Sequence, residues 1–487
     1  MKHVLIVGGG LGGLAAGIKL QANGYQVTIF EQNGHFGGKM MPVQLGDYSF
    51  DFGPNTITMP YVFQKVLKEA GENPDNHLEF VHIEKHTHNL FPDGTSFYMT
   101  TNRNEMVEQF EQLDPHAEIS YYDYLEEVKL LYETAENHFF HRTFSSWTDY
   151  LDSKLFRALW SVRPFETIDH FHRQFFRNDY IRNAFNRYAT YVGSSPFTSP
   201  AAFALIGHLE MGEGVYYVKG GNTKIVKAFE DTLRTLGASL HLKTKVNKII
   251  VQEKQVRGVE LENGEIITGD IVVVNGDLLT AYPELVEEAH RPHFKNKKAK
   301  SYEPSISAFV IMAGLKNRNP NLIHHQVYFA EDYQAEFHEL LQEKRMPGDP
   351  TICVCNSSYI DQDAAPGDNL FILVHAPAVT DEDSYDKEEY KHLIYDKLKR
   401  YGLDIPSQLV VEKVVQPSDI ASTFSGYKGT LYGISSNRKL DSFLRPSNVS
   451  KDVANLYFAG GTAHPRGGSP MVVISGMNVA DKIIHHS

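Results

Sequence analysis

A run of glycines and one carboxylate near the N-terminus carry the clearest chemistry in this chain. Gly8-Gly9-Gly10-Leu11-Gly12-Gly13 has the G-x-G-x-x-G spacing, and Glu31 follows about twenty residues on. Gly8 permits a tight turn, Gly10 lets the backbone approach a pyrophosphate, and Gly13 lets a helix lie close to the preceding strand, a contact that Gly17 extends. With Leu11 and Gly12 they open a helix whose free N–H groups and partial positive charge suit phosphates. Glu31 can accept hydrogen bonds from a ribose diol, and its charge repels a 2′-phosphate, which disfavours NADP. Three elements must position these groups. Lys2 to Val7 reads as a buried strand, a helix begins at Leu14, and Gln26 to Phe30 reads as a second strand ending in Glu31.

The next residues select the dinucleotide. Gln32 leads to Gly37-Gly38-Lys39, a second glycine turn that nicotinamide dehydrogenases do not need and that is typical of flavoproteins. Phe50 to Phe52 reads as a short strand closing into a turn at Gly53-Pro54-Asn55. The same texture returns at Val218-Lys219-Gly220-Gly221-Asn222, where the turn opens a helix running to about Leu236, capped by Gly237. His241 to Ile249 reads as one strand, with Val246 placed to meet an adenine. Asn263-Gly264 predicts a hairpin, and Ile271 to Asn275 a fully buried strand. The C-terminus repeats strand, glycine turn and helix: Asn455 to Phe458, then Gly460-Gly461, a loop to Pro470, and a helix from Met471 to Ile484. Backbone N–H groups near Met471 and Val472 are placed to stabilise negative charge on a flavin. The cofactor read from this set is FAD.

The 487 residues are too many for one ordinary core. The expected fold is α/β: a doubly wound, Rossmann-like FAD-binding domain with a mixed α+β substrate domain and a helical lid. Segments 1–100, 214–290 and 426–487 build the FAD-binding domain. Segment 101–213 is the helical lid, with substrate and membrane-contact roles, and 291–425 is the substrate domain. A net charge of −13 without a basic tail argues against nucleic acid as a partner. Cys353 and Cys355, one residue apart on a strand, face opposite ways and suit two buried thiols in a reducing compartment. No signal peptide is evident, and no apolar run reaches membrane-spanning length. His324 and His325 are adjacent and on a strand would diverge, so no metal site is expected. Neither a nucleophile elbow nor a P-loop is present.

Aromatic residues and arginines mix in the lid, at Phe139-Phe140-His141-Arg142, Lys154 to Trp160, and His170 to Arg177. They suit either a face resting on lipid headgroups or a lid whose aromatics pack inward, and the inward reading is favoured.

Taken together, Val7 to Gly13, Glu31 to Lys39, Phe50 to Pro54, Val218 to Gly221 and Leu456 to Pro470 resemble bacterial phytoene desaturase-type carotenoid enzymes over essentially the full length. Phe91 to Thr95, Tyr191 to Ser195, Gly214 to Val218 and Ser469 to Val472 are most similar to the 4,4'-diaponeurosporene oxygenase branch. The resemblance implies FAD-dependent oxidation of a long apolar carotenoid held in an apolar tunnel. The main expectation is conversion of a C30 carotenoid's terminal methyl group to an aldehyde, and the alternative is desaturation. It also implies a cytoplasmic protein peripherally attached to the inner face of the cell membrane. Many flavoproteins carry an aspartate where Gly461 stands, and the carotenoid branch commonly lacks it. Arg466 occupies a position that is usually small in relatives. It could stabilise a reduced flavin or an oxyanion, or pair with a surface carboxylate. His464 is either a proton shuttle or, preferably, a hydrogen-bonded structural residue. A non-catalytic isoprenoid carrier of the Rab escort type shares this architecture, but the complete glycine and carboxylate set argues against it.

Overall fold

A computed structural model describes residues 1–143, 153–379, 385–438, 441–442 and 445–486. Five parallel strands carry the glycine loop, in the order Leu456–Phe458, Ile271–Val274, His3–Val7, Gln26–Phe30 and Ser239–His241. Alternate residues serve opposite faces, as the two-residue period of a strand requires. Val4, Ile6, Val27, Ile29 and Val273 join the core beneath helices Leu11–Ala22, Lys224–Thr235 and Ser469–His486. Leu5, Phe30, Val272 and Val274 join the opposite core, under the antiparallel strands Val246–Gln252, Gln255–Leu261 and Ile266–Thr268 and helix Leu278–Leu285. Both faces being covered explains the all-apolar reading of Ile271–Val274.

Of the element boundaries that differ from the sequence reading, three bear on the site. The first helix starts at Leu11, not Leu14, because Gly12 and Gly13 are themselves helical and buried against the strand. Packing thus overrides the weak helix propensity of glycine. The stretch read as one strand over His241 to Ile249 is two, Ser239–His241 and Val246–Gln252. Lys243, at φ +52, turns the chain between two different sheets. The last helix begins two residues earlier than expected, at Ser469, and ends at His486.

The second sheet has seven mixed strands, ordered Leu409–Val415, Ser307–Leu315, Asn369–Ala376, Ile352–Asn356, His325–Tyr328, Lys85–Leu90 and Ser96–Thr100. Parallel pairing of Lys85–Leu90 with His325–Tyr328 brings the hairpin 85–100 into this sheet, although it lies within the segment assigned above to the cofactor domain. Cys353 and Cys355 do not face opposite ways: residues two apart on a strand share a side, so both line the cavity while Ile352 and Val354 pack on the other face, and both are free thiols.

Helices Arg103–Glu111, Ala117–Ala135, Ile168–Arg173 and Asp179–Asn186 enclose an aromatic core that includes Phe110, Tyr124, Phe171, Phe176 and Phe185. The aromatics of His170 to Arg177 therefore turn mainly inward. Trp160 and Phe165 do not: each is 66% exposed, with ring centroids 5.8 Å apart. The side chains of Lys154 and Phe156 lie outside the described residues. Among those described, no helix is long and apolar enough to cross a membrane.

Candidate functional site

The five-stranded sheet ends in loops that surround a cavity of about 1040 Å3, which continues between the lid and the second sheet. Every candidate residue named from the sequence lines this cavity except Gly13. Gly13 acts at one remove: a Cβ there would lie 2.5 Å from the Gly8 carbonyl oxygen, so its smallness seats helix on strand.

Gly8 has φ +99, and a Cβ on it would meet the Asn275 carbonyl at 2.7 Å, so both conformation and space require glycine. Glu31 is 6% exposed. One carboxylate oxygen accepts the Gly9 N–H at 2.8 Å and the other accepts the Asn33 N–H at 2.8 Å. These bonds fix the carboxylate at the lip of the glycine loop and leave each oxygen a further lone pair for a diol.

The second glycine turn folds directly onto the first. Gly37 donates its N–H to Gly9 O at 2.8 Å and bridges to Gly10. Lys39 is half-buried, and its ammonium donates to the Thr430 and Leu431 carbonyls, both at 2.8 Å. Burial pulls its pKa down against the opposing effect of Asp277. Lys39 thus ties the turn to the far side of the cavity. Gln32 reaches across the rim, its Nε2 donating to Ser425 Oγ at 3.1 Å. Gly53 has φ +116, and Asn55 Nδ2 donates to its carbonyl at 3.3 Å. Asp51, just before this turn, accepts the Asn222 N–H at 2.9 Å and the Thr223 N–H at 3.2 Å. That links the Val218 to Asn222 turn to Gly53-Pro54.

Gly460 N–H donates to Ser475 Oγ at 3.2 Å, and the Gly461 carbonyl accepts from Arg445 Nη1 at 3.2 Å. The helix starting at Ser469 points its first turn at the cavity. The expected pair of free amides is reduced, because Val472 N–H already donates to Gly468 O at 2.9 Å as the first helical bond. Pro470 has no N–H, so Met471 remains from the pair named above.

Arg466 is 9% exposed, and no carboxylate lies within 4 Å of it among the described residues. The surface-carboxylate alternative is therefore corrected. Its Nη2 donates to Ser436 Oγ at 3.1 Å, its guanidinium lies 3.9 Å from the Phe203 ring centroid, and Nη1 has no hydrogen-bond partner. Burial, aided by Arg445, lowers its pKa well below the usual arginine range. His464 Nε2 lies 2.7 Å from the Phe139 carbonyl, which can only accept, so Nε2 carries the proton. Burial pushes its pKa down to about 4. That bond anchors the cavity wall to the lid, the structural role preferred above.

The sequence reading missed three groups. Asn275 Nδ2 donates to Gly8 O at 3.2 Å, and its Oδ1 sits beside Gly12 and Gly460. Its position directly after the apolar strand Ile271–Val274 was the available signal. His324 and His325 do not diverge: their Nδ1 atoms are 3.0 Å apart, and Cys355 Sγ is 3.9 Å from His324 Nδ1. His324 precedes the strand, so alternation does not govern its ring, and the three ligand atoms lie within 4.8 Å of one another. One histidine nitrogen donating to the other accounts for the contact. Third, the cavity is not uniformly apolar, since Thr56, Arg187, Tyr191 and His325 contribute to its wall.

The family model described as flavin-containing amine oxidoreductase matches residues 11–484. The chain belongs to that family. It is 30% identical over 99% of its length, and 98% of the relative's, to a 4,4'-diaponeurosporene oxygenase of Staphylococcus aureus. It is 33% identical, with 99% of each chain covered, to a 1-hydroxycarotenoid 3,4-desaturase of Flavobacterium sp.. Among solved structures it is similar to a putrescine oxidase (TM-score 0.67, 14% identity, 100% and 99% coverage) and to cyclohexylamine oxidase from Brevibacterium oxydans (TM-score 0.62, 17% identity, 100% and 99% coverage). These two share the fold. The protein is an FAD-dependent oxidoreductase. Its double glycine loop, buried Glu31, and buried Arg466 without a carboxylate partner fit an anionic dinucleotide flavin.

Proposed function

We propose that this enzyme oxidises a long carotenoid, chiefly converting the terminal methyl group of a C30 chain to an aldehyde. The observation that carries the reading is one continuous cavity that begins at the glycine loop and ends under the aromatic lid. FAD, when bound, supplies a two-electron acceptor for a substrate C–H bond. Gly8 to Gly13 and Asn275 hold the pyrophosphate region, Glu31 the ribose, and Val246 the adenine. Gly37, Gly38, Gly53 to Asn55, Gly460, Gly461, Met471 and Val472 enclose the rest. Arg466 places a positive charge on the cavity wall. Ala202, Leu205 and Leu209, with Phe139, Phe140 and Phe203, offer apolar surface to a polyene, worth about 25 cal/mol per Å² buried.

Desaturation is the second reading, favoured by the 33% identity to a carotenoid desaturase. Purified protein with FAD and lipid, incubated in air with 4,4'-diaponeurosporene or 4,4'-diapophytoene, separates the two. A product of the first that gains one oxygen and loses two hydrogens establishes the oxygenase. Loss of hydrogens alone from the second establishes the desaturase.

Peripheral attachment to the inner face of the cell membrane belongs to the same reading. Trp160 and Phe165, paired on the outside of the lid, are the anchors we assign.

A further inference from the structure

Two strands of the second sheet bring one thiol and two imidazoles together at the cavity wall. His325 stands directly opposite Cys355 in the antiparallel pairing of His325–Tyr328 with Ile352–Asn356, so their side chains share a face. His324, one residue before the strand, is held by its carbonyl, which accepts the Asn356 N–H at 2.8 Å. Its ring turns to the same place. His324 Nδ1 lies 3.0 Å from His325 Nδ1 and 3.9 Å from Cys355 Sγ, and the three atoms lie within 4.8 Å of one another. His325 and Cys355 line the cavity, and His324 is fully buried beside them.

This is the donor set and spacing of a metal centre. Tetrahedral zinc with two imidazoles at about 2.0–2.1 Å and one thiolate at about 2.3 Å sets its nitrogens about 3.3 Å apart and the sulfur about 3.6 Å from each. The separations of 3.0 and 3.9 Å each differ from these by about 0.3 Å. Burial pushes the pKa of both histidines down, that of His325 to about 3, and so keeps the rings in the neutral form that ligates. His325 Nε2 lies 3.3 Å from Thr56 Oγ1, the outward hydrogen bond that orients a ligating imidazole. A ring-to-ring hydrogen bond suffices for the metal-free protein, but it does not explain why a thiol converges on the same point. Opposite charge is also at hand, since the Asp51 carboxylate acts on the Cys355 thiol and Glu210 opposes the effect of Arg187 on His325.

We propose that His324 Nδ1, His325 Nδ1 and Cys355 Sγ form a binding site for a divalent cation of the zinc kind, which thiolate and imidazole select over harder ions. Three protein ligands leave a fourth position, which opens on the cavity and takes water. Binding displaces one proton, that of the Cys355 thiol, to water in the cavity. Both ring protons then sit on Nε2, and His325 donates to Thr56. Both strands lie inside the seven-stranded sheet, so the site is built on rigid elements, and the cavity is the way in. The proposal is independent of which substrate the enzyme oxidises.

The test uses the FAD-loaded enzyme, treated with a chelator, titrated with Zn2+ alone and desalted before the metal is counted. One zinc per chain is expected, with an X-ray absorption spectrum showing one sulfur at about 2.3 Å and nitrogens at about 2.0–2.1 Å. Cys355→Ser is expected to weaken binding about tenfold or more, since loss of even an outer partner of a ligand costs that much. Cys353→Ser, which changes the neighbouring thiol, is expected to keep the site. Bound flavin reports that each variant is folded. Zinc that is not retained by the native enzyme, or is held without sulfur, overturns the proposal. Loss of the site in Cys353→Ser, or its survival in Cys355→Ser, overturns the ligand assignment. Should Cys355→Ser lose its flavin, a sulfur shell unchanged in Cys353→Ser supports Cys355, and a sulfur shell lost there contradicts it.

Discussion

Gly12 and Gly476 touch backbone to backbone: a Cβ on Gly476 would lie 2.0 Å from the Gly12 carbonyl oxygen. The first and last helices of the chain are thereby locked together beside the cavity, and the C-terminal wall of the cofactor site is set by the glycine loop. Gly476→Ala has no flexible neighbour to displace. We expect a loss of about 1–3 kcal/mol of stability together with weaker FAD retention. Thermal unfolding with and without added FAD measures both, and unchanged melting with full flavin occupancy would contradict the packing described.

Glu31 serves two backbone amides at once. Each charge-assisted bond contributes about 1.5–3 kcal/mol. Glu31→Gln keeps the shape but loses the charge and one acceptor oxygen, so FAD affinity should fall about tenfold or more. Titration of the apoprotein with FAD reads this directly.

His464 links acid stability to the lid. Its folded-state pKa of about 4 lies below the ordinary value of 6.5. Between those values the unfolded chain binds the proton more readily, so stability falls as pH drops from 6.5 towards 4 and levels off below. The full effect for this one group is up to about 3 kcal/mol. His464→Gln keeps an N–H for the Phe139 carbonyl but cannot titrate. Its unfolding free energy should lose less on acidification than that of the native protein.

Arg466 is the buried cation with the clearest route to the chemistry. Arg466→Gly removes positive charge from the cavity wall, and we expect the bound flavin's reduction potential to fall and turnover to drop about tenfold or more. Folding should be less affected, because the guanidinium makes no ion pair among the described residues. Unchanged potential and turnover in a flavin-replete variant would remove Arg466 from the mechanism.

Trp160 and Phe165 give the lid an exposed aromatic pair. Trp160→Ser with Phe165→Ser should reduce co-sedimentation with lipid vesicles several-fold, each residue losing about 1.5–3 kcal/mol of burial on insertion. No binding of the native protein to any vesicle would remove the membrane contact.

The cofactor half of this site was legible because local rules determine it. The spacing of Gly8, Gly10 and Gly13, the carboxylate at Glu31 and the Gly37-Gly38 turn all act within one strand–turn–helix unit. What was not legible depends on pairing across the chain. Lys85–Leu90 joins His325–Tyr328 over more than two hundred residues, and no local pattern announces that partner. Asn275 looks like an ordinary strand end until Gly8 is folded against it. His324 was misjudged because strand alternation was applied one residue beyond the strand. Arg187 and Glu210 lie on separate short helical segments, and only the lid's packing brings Glu210 up behind Arg187 at the cavity wall. The polar patch on the wall of the expected apolar tunnel was not legible for that reason.

The central claim is that this cavity lets a carotenoid pass electrons to FAD. The most direct test is to mix the flavin-loaded enzyme with the carotenoid in lipid under anaerobic conditions and follow the flavin absorbance. The account predicts that the absorbance bleaches in proportion to carotenoid added and returns on admission of air. An unbleached flavin, with the carotenoid shown to be bound, would contradict it and leave a carrier in place of an enzyme.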